Sequence, residues 1–99
     1  MWKSENINIG RVKAKEPVTV KFDYLSEGIF VSAKSSCGCS VPIWKDNYLE
    51  VIYTPNDIAK HLENEGKTEY ESVKHITVIM IEGYGQKNYD LKIQSTVYK

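Results

Sequence analysis

An excess of charge of either sign is missing from this 99-residue chain. Thirteen lysine and arginine side chains balance thirteen aspartates and glutamates, for a formal net charge of zero. Nucleic-acid-binding surfaces carry a basic footprint, so sequence-independent DNA binding is not expected. A neutral chain also lacks the repulsion that keeps copies apart, which favours a place inside an assembly. No apolar run approaches the roughly 20 residues that cross a bilayer, and no membrane span is expected. The opening residues, Met-Trp-Lys-Ser-Glu-Asn, show no basic segment followed by an apolar one, so no export signal is expected there. Asn-x-Ser/Thr sequons are absent. Two cysteines are too few for a disulfide framework, which leaves the core to hold the fold. Arginine is nearly absent as well: Arg11 stands alone beside twelve lysines. With abundant Ile, Asn and Tyr, that bias points to A/T-rich codons, as in many low-GC bacteria and phages.

What is present is period-two alternation. Ile7 and Ile9 alternate with Asn6 and Asn8 in a short first strand that should stop at Gly10. Val18, Val20, Phe22 and Tyr24 share one face of a second strand, with Pro17 at its start, where a missing N–H costs least. After a turn at Ser26-Glu27-Gly28, Ile29, Val31 and Ala33 continue on one face. Pro42 and the Lys45-Asp46-Asn47 cluster are expected to break the chain. Leu49, Val51 and Tyr53 then mark a further strand. Residues 57–72 lose the strand period. Asp57 can cap a short helix through Ile58, Ala59 and Leu62, closed near Gly66, and a loop is equally compatible. Val73 to Ile81 is apolar on both faces, the pattern of a central strand covered on both sides. A hairpin loop is expected over residues 83–88, and Leu91, Ile93, Ser95 and Val97 close the chain. Six or seven short strands in one domain spanning residues 1–99 predict an antiparallel, immunoglobulin-like β-sandwich.

Both cysteines fall in Ser-Cys-Gly-Cys-Ser-Val-Pro-Ile-Trp, residues 36–44. Thiols at i and i+2 on extended chain point the same way, and four readings compete. Cys37 and Cys39 with His61 and His75 make a Cys₂His₂ metal set, although the spacing is not that of a zinc knuckle. A Cys-x-Cys disulfide is a second reading, but redox enzymes place Cys-x-x-Cys at a helix start and no helix is predicted after Cys39. A single nucleophilic cysteine needs a base that sequence alone does not bring near. The fourth reading is structural. Small thiols pack in interiors, Gly38 permits a bulge or a positive φ between them, and Pro42 and Trp44 fix the exit and cover the core edge. The structural reading is preferred, with no cofactor.

The block Ser-Ser-Cys-Gly-Cys-Ser-Val-Pro-Ile-Trp resembles the hallmark of a bacterial family of immunoglobulin-like domains of unknown function, related to the Hydin-type and sperm-protein-like β-sandwiches. Ile9-Gly10-Arg11-Val12 resembles that family's opening turn, Val18 to Tyr24 its second strand, and Leu91 to Val97 its closing strand. Ser40 stands where the hallmark has Thr. The turn at Ser26-Glu27-Gly28 is shorter than the family's, and residues 57–72 look longer than its usual connection. The resemblance implies a fold and carries no catalytic residues, because fold alone does not fix function.

The remaining side chains point to binding. Trp2 has little local reason to be buried and is a candidate anchor on a partner. Tyr48, Tyr84, Tyr89 and Tyr98 fall at outward positions or in loops, where an apolar ring with a polar tip suits an interface. The run Glu63, Glu65, Glu69, Glu71 lacks the Gly-centred spacing of a calcium loop. No catalytic dyad or phosphate loop occurs, and the chain is expected to be a non-enzymatic structural or protein-interaction module. The edge strands, the 84–88 hairpin and the 57–72 segment are its expected contacts. A phage virion accessory, as a capsid decoration or neck subunit among protein partners and possible copies of itself, fits the composition. A metal- or redox-active cysteine protein and an exported envelope binding domain are the alternatives.

Overall fold

The computed structural model describes residues 2–36 and 38–99. They form seven strands and one short helix: β1 (Asn6–Lys13), β2 (Val18–Asp23), β3 (Ile29–Ser35), β4 (Ser40–Lys45), β5 (Tyr48–Tyr53), α1 (Lys60–Asn64), β6 (Glu69–Glu82) and β7 (Gly85–Tyr98). Two sheets face each other, one in the order β1-β7-β6-β3 and the other β2-β5-β4. This is the expected immunoglobulin-like sandwich. One pairing departs from pure antiparallel: β1 runs parallel to β7. The first strand thus joins the last strand's sheet, whereas in constant-type immunoglobulin domains it sits with the second.

Alternation builds the core. Val20 and Phe22 of β2, Leu49, Val51 and Tyr53 of β5, Ile76, Val78 and Met80 of β6, and Leu91 and Ile93 of β7 all point between the sheets and are buried. Each such side chain contributes roughly 1.5–3 kcal/mol relative to exposure. The shape is elongated, 53 × 17 × 16 Å, because β6 and β7 are 14-residue strands in continuous register. Its radius of gyration of 15.1 Å exceeds the about 13 Å usual at this length.

Several sequence expectations shift. Gly10 does not stop β1. With φ +74° it forms a bulge between Asn8 and Arg11, and the strand continues to Lys13; an L side chain rarely adopts that φ. A second bulge lies in β3 between Phe30 and Ser32. It breaks the expected face of Ile29, Val31 and Ala33: Phe30 and Ala33 pack on the core while Ile29 and Val31 are exposed. Pro42 does not break the chain but lies within β4, an edge strand, where its missing N–H faces no ladder partner. The strand period resumes at Glu69, so residues 69–72 belong to β6. Between, α1 starts at Ala59 without a side-chain cap; Asp57 instead accepts the Ile58 N–H, 2.9 Å. Gly66, φ +80°, closes the helix as expected. The 83–88 loop shrinks to a turn at Gly83-Tyr84, flanked by the pair Glu82 and Gly85. Finally, β6 is central in its sheet, but its outer face is uncovered: Val73 and Ile81 are exposed.

Candidate interaction site

One end of the sandwich gathers aromatic rings. Trp2 reaches it through an isolated bridge to Tyr24, with the Lys3 N–H donating to the Asp23 carbonyl at 2.9 Å. Its indole lies 5.1 Å from the Tyr24 ring, 5.9 Å from Tyr89 and 6.3 Å from Trp44. Phe30 stacks on Trp44 at 5.1 Å with planes 6° apart. Stacked and edge-to-face pairs of this kind contribute about 0.5–1.5 kcal/mol beyond area burial. Strands β3 and β7 of one sheet, β4 and the residue after β2 of the other, and the N-terminal segment thus meet in one packed cluster.

Glu82, the last residue of β6, ties the rim together. Tyr89 Oη donates to both its carboxylate oxygens, 2.7 and 2.8 Å, and Tyr24 Oη donates to Oε2. The two hydroxyls stabilise the charged carboxylate and hold Glu82 below its ordinary range. The same bonds act in reverse on the phenols: Glu82 and burial push Tyr89 up to about 12, and burial followed by Glu82 raises Tyr24 further. Gly28 passes directly over this clasp. A Cβ there would press on Tyr24 Oη and lie 3.0 Å from the Ile81 carbonyl oxygen, so any larger residue must displace the tyrosine or crowd the strand.

Beside this cluster the surface is apolar. Leu25 is 59% exposed, Ile29 68%, Val31 52% and Ile81 37%, and Tyr84 is fully exposed. Ile29 and Ile81 are direct cross-strand partners on the outer face, and Ile79 continues the row opposite Ser32. Two other exposed large hydrophobics, Val41 and Val73, lie elsewhere on the chain. The patch is therefore concentrated where the β2–β3 loop, the start of β3, the end of β6 and the β6–β7 turn converge.

The residues singled out from the sequence are scattered. Tyr84 stands in the patch. Trp2 is not a surface anchor: at 5% exposure it is core, because the Trp2–Tyr24 bridge turns the chain end inward. Tyr89 also faces inward, hydrogen-bonded to Glu82. Tyr98 is half-buried on the outer face beneath the Arg11 guanidinium, 4.9 Å from the ring centroid. Tyr48 carries Lys21 in the same way at 4.3 Å. The patch members Leu25, Ile29, Val31 and Ile81 were missed. A β-bulge, which periodicity does not reveal, put two of them outside.

Cys37 lies outside the described residues. Cys39 is half-buried against the core, is disulfide-bonded, and has its carbonyl held by the Thr54 N–H at 2.8 Å. Gly38 is exposed, with nothing within 4 Å of an added Cβ. Trp44 does cover the core edge, stacked on Phe30. His61 sits on α1, and His75 lies mid-strand on β6 with Nδ1 3.2 Å from Asp90. Among the described residues no three His, Cys, Asp or Glu side chains gather as a metal site. No described helix is long and apolar enough to cross a membrane. Two shallow clefts of about 300 and 210 Å³ lie beside Lys3, Lys21 and Asp23 and beside Asp57, Leu62 and Tyr70.

No protein-family model and no curated protein sequence matches this chain. Among solved structures, an endo-fucoidan hydrolase of glycoside hydrolase family 107 is similar at 14% identity and a TM-score of 0.50. The match covers all of this chain and 14% of the hydrolase chain. That likeness is one of fold.

Proposed function

We propose that this chain is a non-enzymatic structural and protein-interaction module that works through the apolar end of its sandwich. The observation that carries the reading is the clustering of Leu25, Ile29, Val31, Ile81 and Tyr84, five exposed apolar side chains from four neighbouring segments, beside a packed aromatic cluster. Isolated exposed hydrophobics are ordinary, whereas several gathered at one end, with Ile29 and Ile81 directly paired, mark a contact surface. The aromatic cluster supports the reading further, since a preorganised surface loses little freedom on docking. The nearest engaged carboxylate, Glu82, is committed to two tyrosine hydroxyls, which suits a structural role.

The setting we propose is a repeated assembly, of the capsid-decoration or neck kind in a phage virion. Zero net charge and small size suit a subunit packed among others. Purified virions from the source should contain the chain in stoichiometric, repeated copies, and Ile29→Asp with Tyr84→Ser should leave it folded but unincorporated. A chain absent from virions removes that setting. A chain that never enters any large assembly removes the module reading itself.

A redox role for the disulfide at Cys39 is the competing reading. Mass spectrometry that trapped a turnover-dependent mixed disulfide on this chain would replace the present proposal.

A further inference from the structure

The patch borders a sheet edge, and the two features together select an occupant. Edge strands carry unsatisfied backbone groups, and proteins blunt them with proline, charge or bulges. Three edges here are blunted in that way. β1 bears Arg11 and Lys13 around its Gly10 bulge, β2 follows Pro17 and carries Lys21 and Asp23, and β4 contains Pro42 and Lys45. β3, which ends the four-stranded sheet, carries a bulge and Lys34 near its end, but its stretch Ile29-Phe30-Val31-Ser32-Ala33 has neither charge nor proline.

The bulge in β3 is compatible with pairing to one particular partner. Ile29 and Ser32 differ in parity, so on a regular strand they would face opposite sides. Their cross-strand neighbours, Ile81 and Ile79, are two residues apart on β6 and share the outer face, so Ile29 and Ser32 share it too. An antiparallel pair needs opposed residues on one face. Against a second copy, Ile29 can therefore face Ser32 and Ser32 can face Ile29. The same register sets Phe30 against Val31 at the two-fold, where both copies carry the bulge, so the ladder is interrupted at its centre and pairing rests on the residues to either side.

Charge supports the same partner. From Leu25 to Ser36 the charged residues are Glu27, just before β3, and Lys34, near its end. The register that sets Ile29 against Ser32 brings Glu27, in the loop just before β3, toward Lys34 of the other copy, and does so at both ends of the two-fold. Opposite charges directly across a ladder are favourable, like charges unfavourable. The central stretch is uncharged, so an isologous contact brings no like charges together there.

We infer that two copies of this chain associate through antiparallel pairing of their β3 edges, joining two four-stranded sheets and covering Ile29 and Val31. The inference rests on the reading that this end is a contact surface, and names a second copy as an occupant. One strand pairing with a small apolar flank falls short of the about 800 Å² per partner of a standard interface, so a dissociation constant on the order of 10 µM is expected.

Sedimentation velocity on the full chain over a wide concentration range tests it. The expected result is a reversible monomer–dimer equilibrium. Glu27→Lys and Lys34→Glu should each weaken it about tenfold at low salt, where exposed charges are least screened, and the double exchange should restore it. Both positions are exposed, and circular dichroism checks that the variants fold. Amide exchange on the unmodified chain needs no variant: the β3 amides should gain protection as concentration rises. A chain monomeric to about 1 mM, a dimer indifferent to the single exchanges, or a double exchange that fails to restore association overturns the inference. A monomer that still enters an assembly through the patch leaves the module reading standing.

Discussion

Phe30 and Trp44 lie face to face, ring centroids 5.1 Å apart and planes 6° from parallel, and they belong to different sheets. This stack joins the edge strands β3 and β4 on the side where the cysteine segment connects them. Tyr24 meets Trp44 edge-on at 5.9 Å, and Trp2 meets it at 6.3 Å. Trp44→Ala removes all three contacts and should destabilise by about 3 kcal/mol, with Trp44→Phe costing about 1. Urea unfolding at neutral pH measures both.

Trp2 is a distinct case. Its Nε1–H is buried and finds no hydrogen-bond partner among the described residues. A buried donor left unmet costs about 1–3 kcal/mol. Trp2→Phe discards that donor while keeping an aromatic ring, so it should cost less than half as much as Trp2→Ala. Denaturant midpoints of the two variants at equal m-value give the ratio.

Gly28→Ala should be destabilising out of proportion to one methyl group. The new Cβ would press on Tyr24 Oη and meet the Ile81 carbonyl oxygen at 3.0 Å and Glu82 Cγ at 3.1 Å. A tyrosine can shift, but strand backbone cannot yield without disturbing its ladder, and such overpacking costs about 1–3 kcal/mol. A thermal melt of Gly28→Ala should fall by several degrees, whereas Gly38→Ala, with open space around it, should stay near wild type.

The Glu82 clasp carries a signed pH dependence. Its carboxyl is held below the ordinary 4.5 by the Tyr24 and Tyr89 hydroxyls. A depressed folded pKa contributes stability that is full above the unfolded value and lost as pH falls through the folded one. Stability should therefore decline below about pH 4.5, and Glu82→Gln should flatten that decline. Tyr89, raised from 10.0 to about 12, acts oppositely: its contribution is intact below pH 10 and lost as pH climbs through 12. Absorbance titration of the tyrosinates should show Tyr24 and Tyr89 lagging, and the Tyr89 lag shortening in Glu82→Gln.

Much of the strand layout was legible in local pattern. Val20-Phe22 and Leu49-Val51-Tyr53 alternate without interruption, and each odd or even set is buried as a block. Legibility failed wherever a residue's face depended on a partner strand. Ile29, Val31 and Ala33 read as one face because alternation was counted through a bulge that exists only against β6. Trp2 and Tyr89 read as outward because neither the bridge to Tyr24 nor the Glu82 carboxylate is near them in sequence.

Taken by itself, the order of residues determined an all-β chain, the inner faces of β2 and β5 and the turns at Gly66 and Gly83, since side-chain alternation and left-handed turns are local properties of the backbone. Tertiary structure alone decided that β1 joins β7 in parallel, that residue 2 seals one end of the core, and that an apolar patch adjoins the β3 edge. Those outcomes depend on which distant strands hydrogen-bond and in what register, and a one-residue shift there exchanges core for surface.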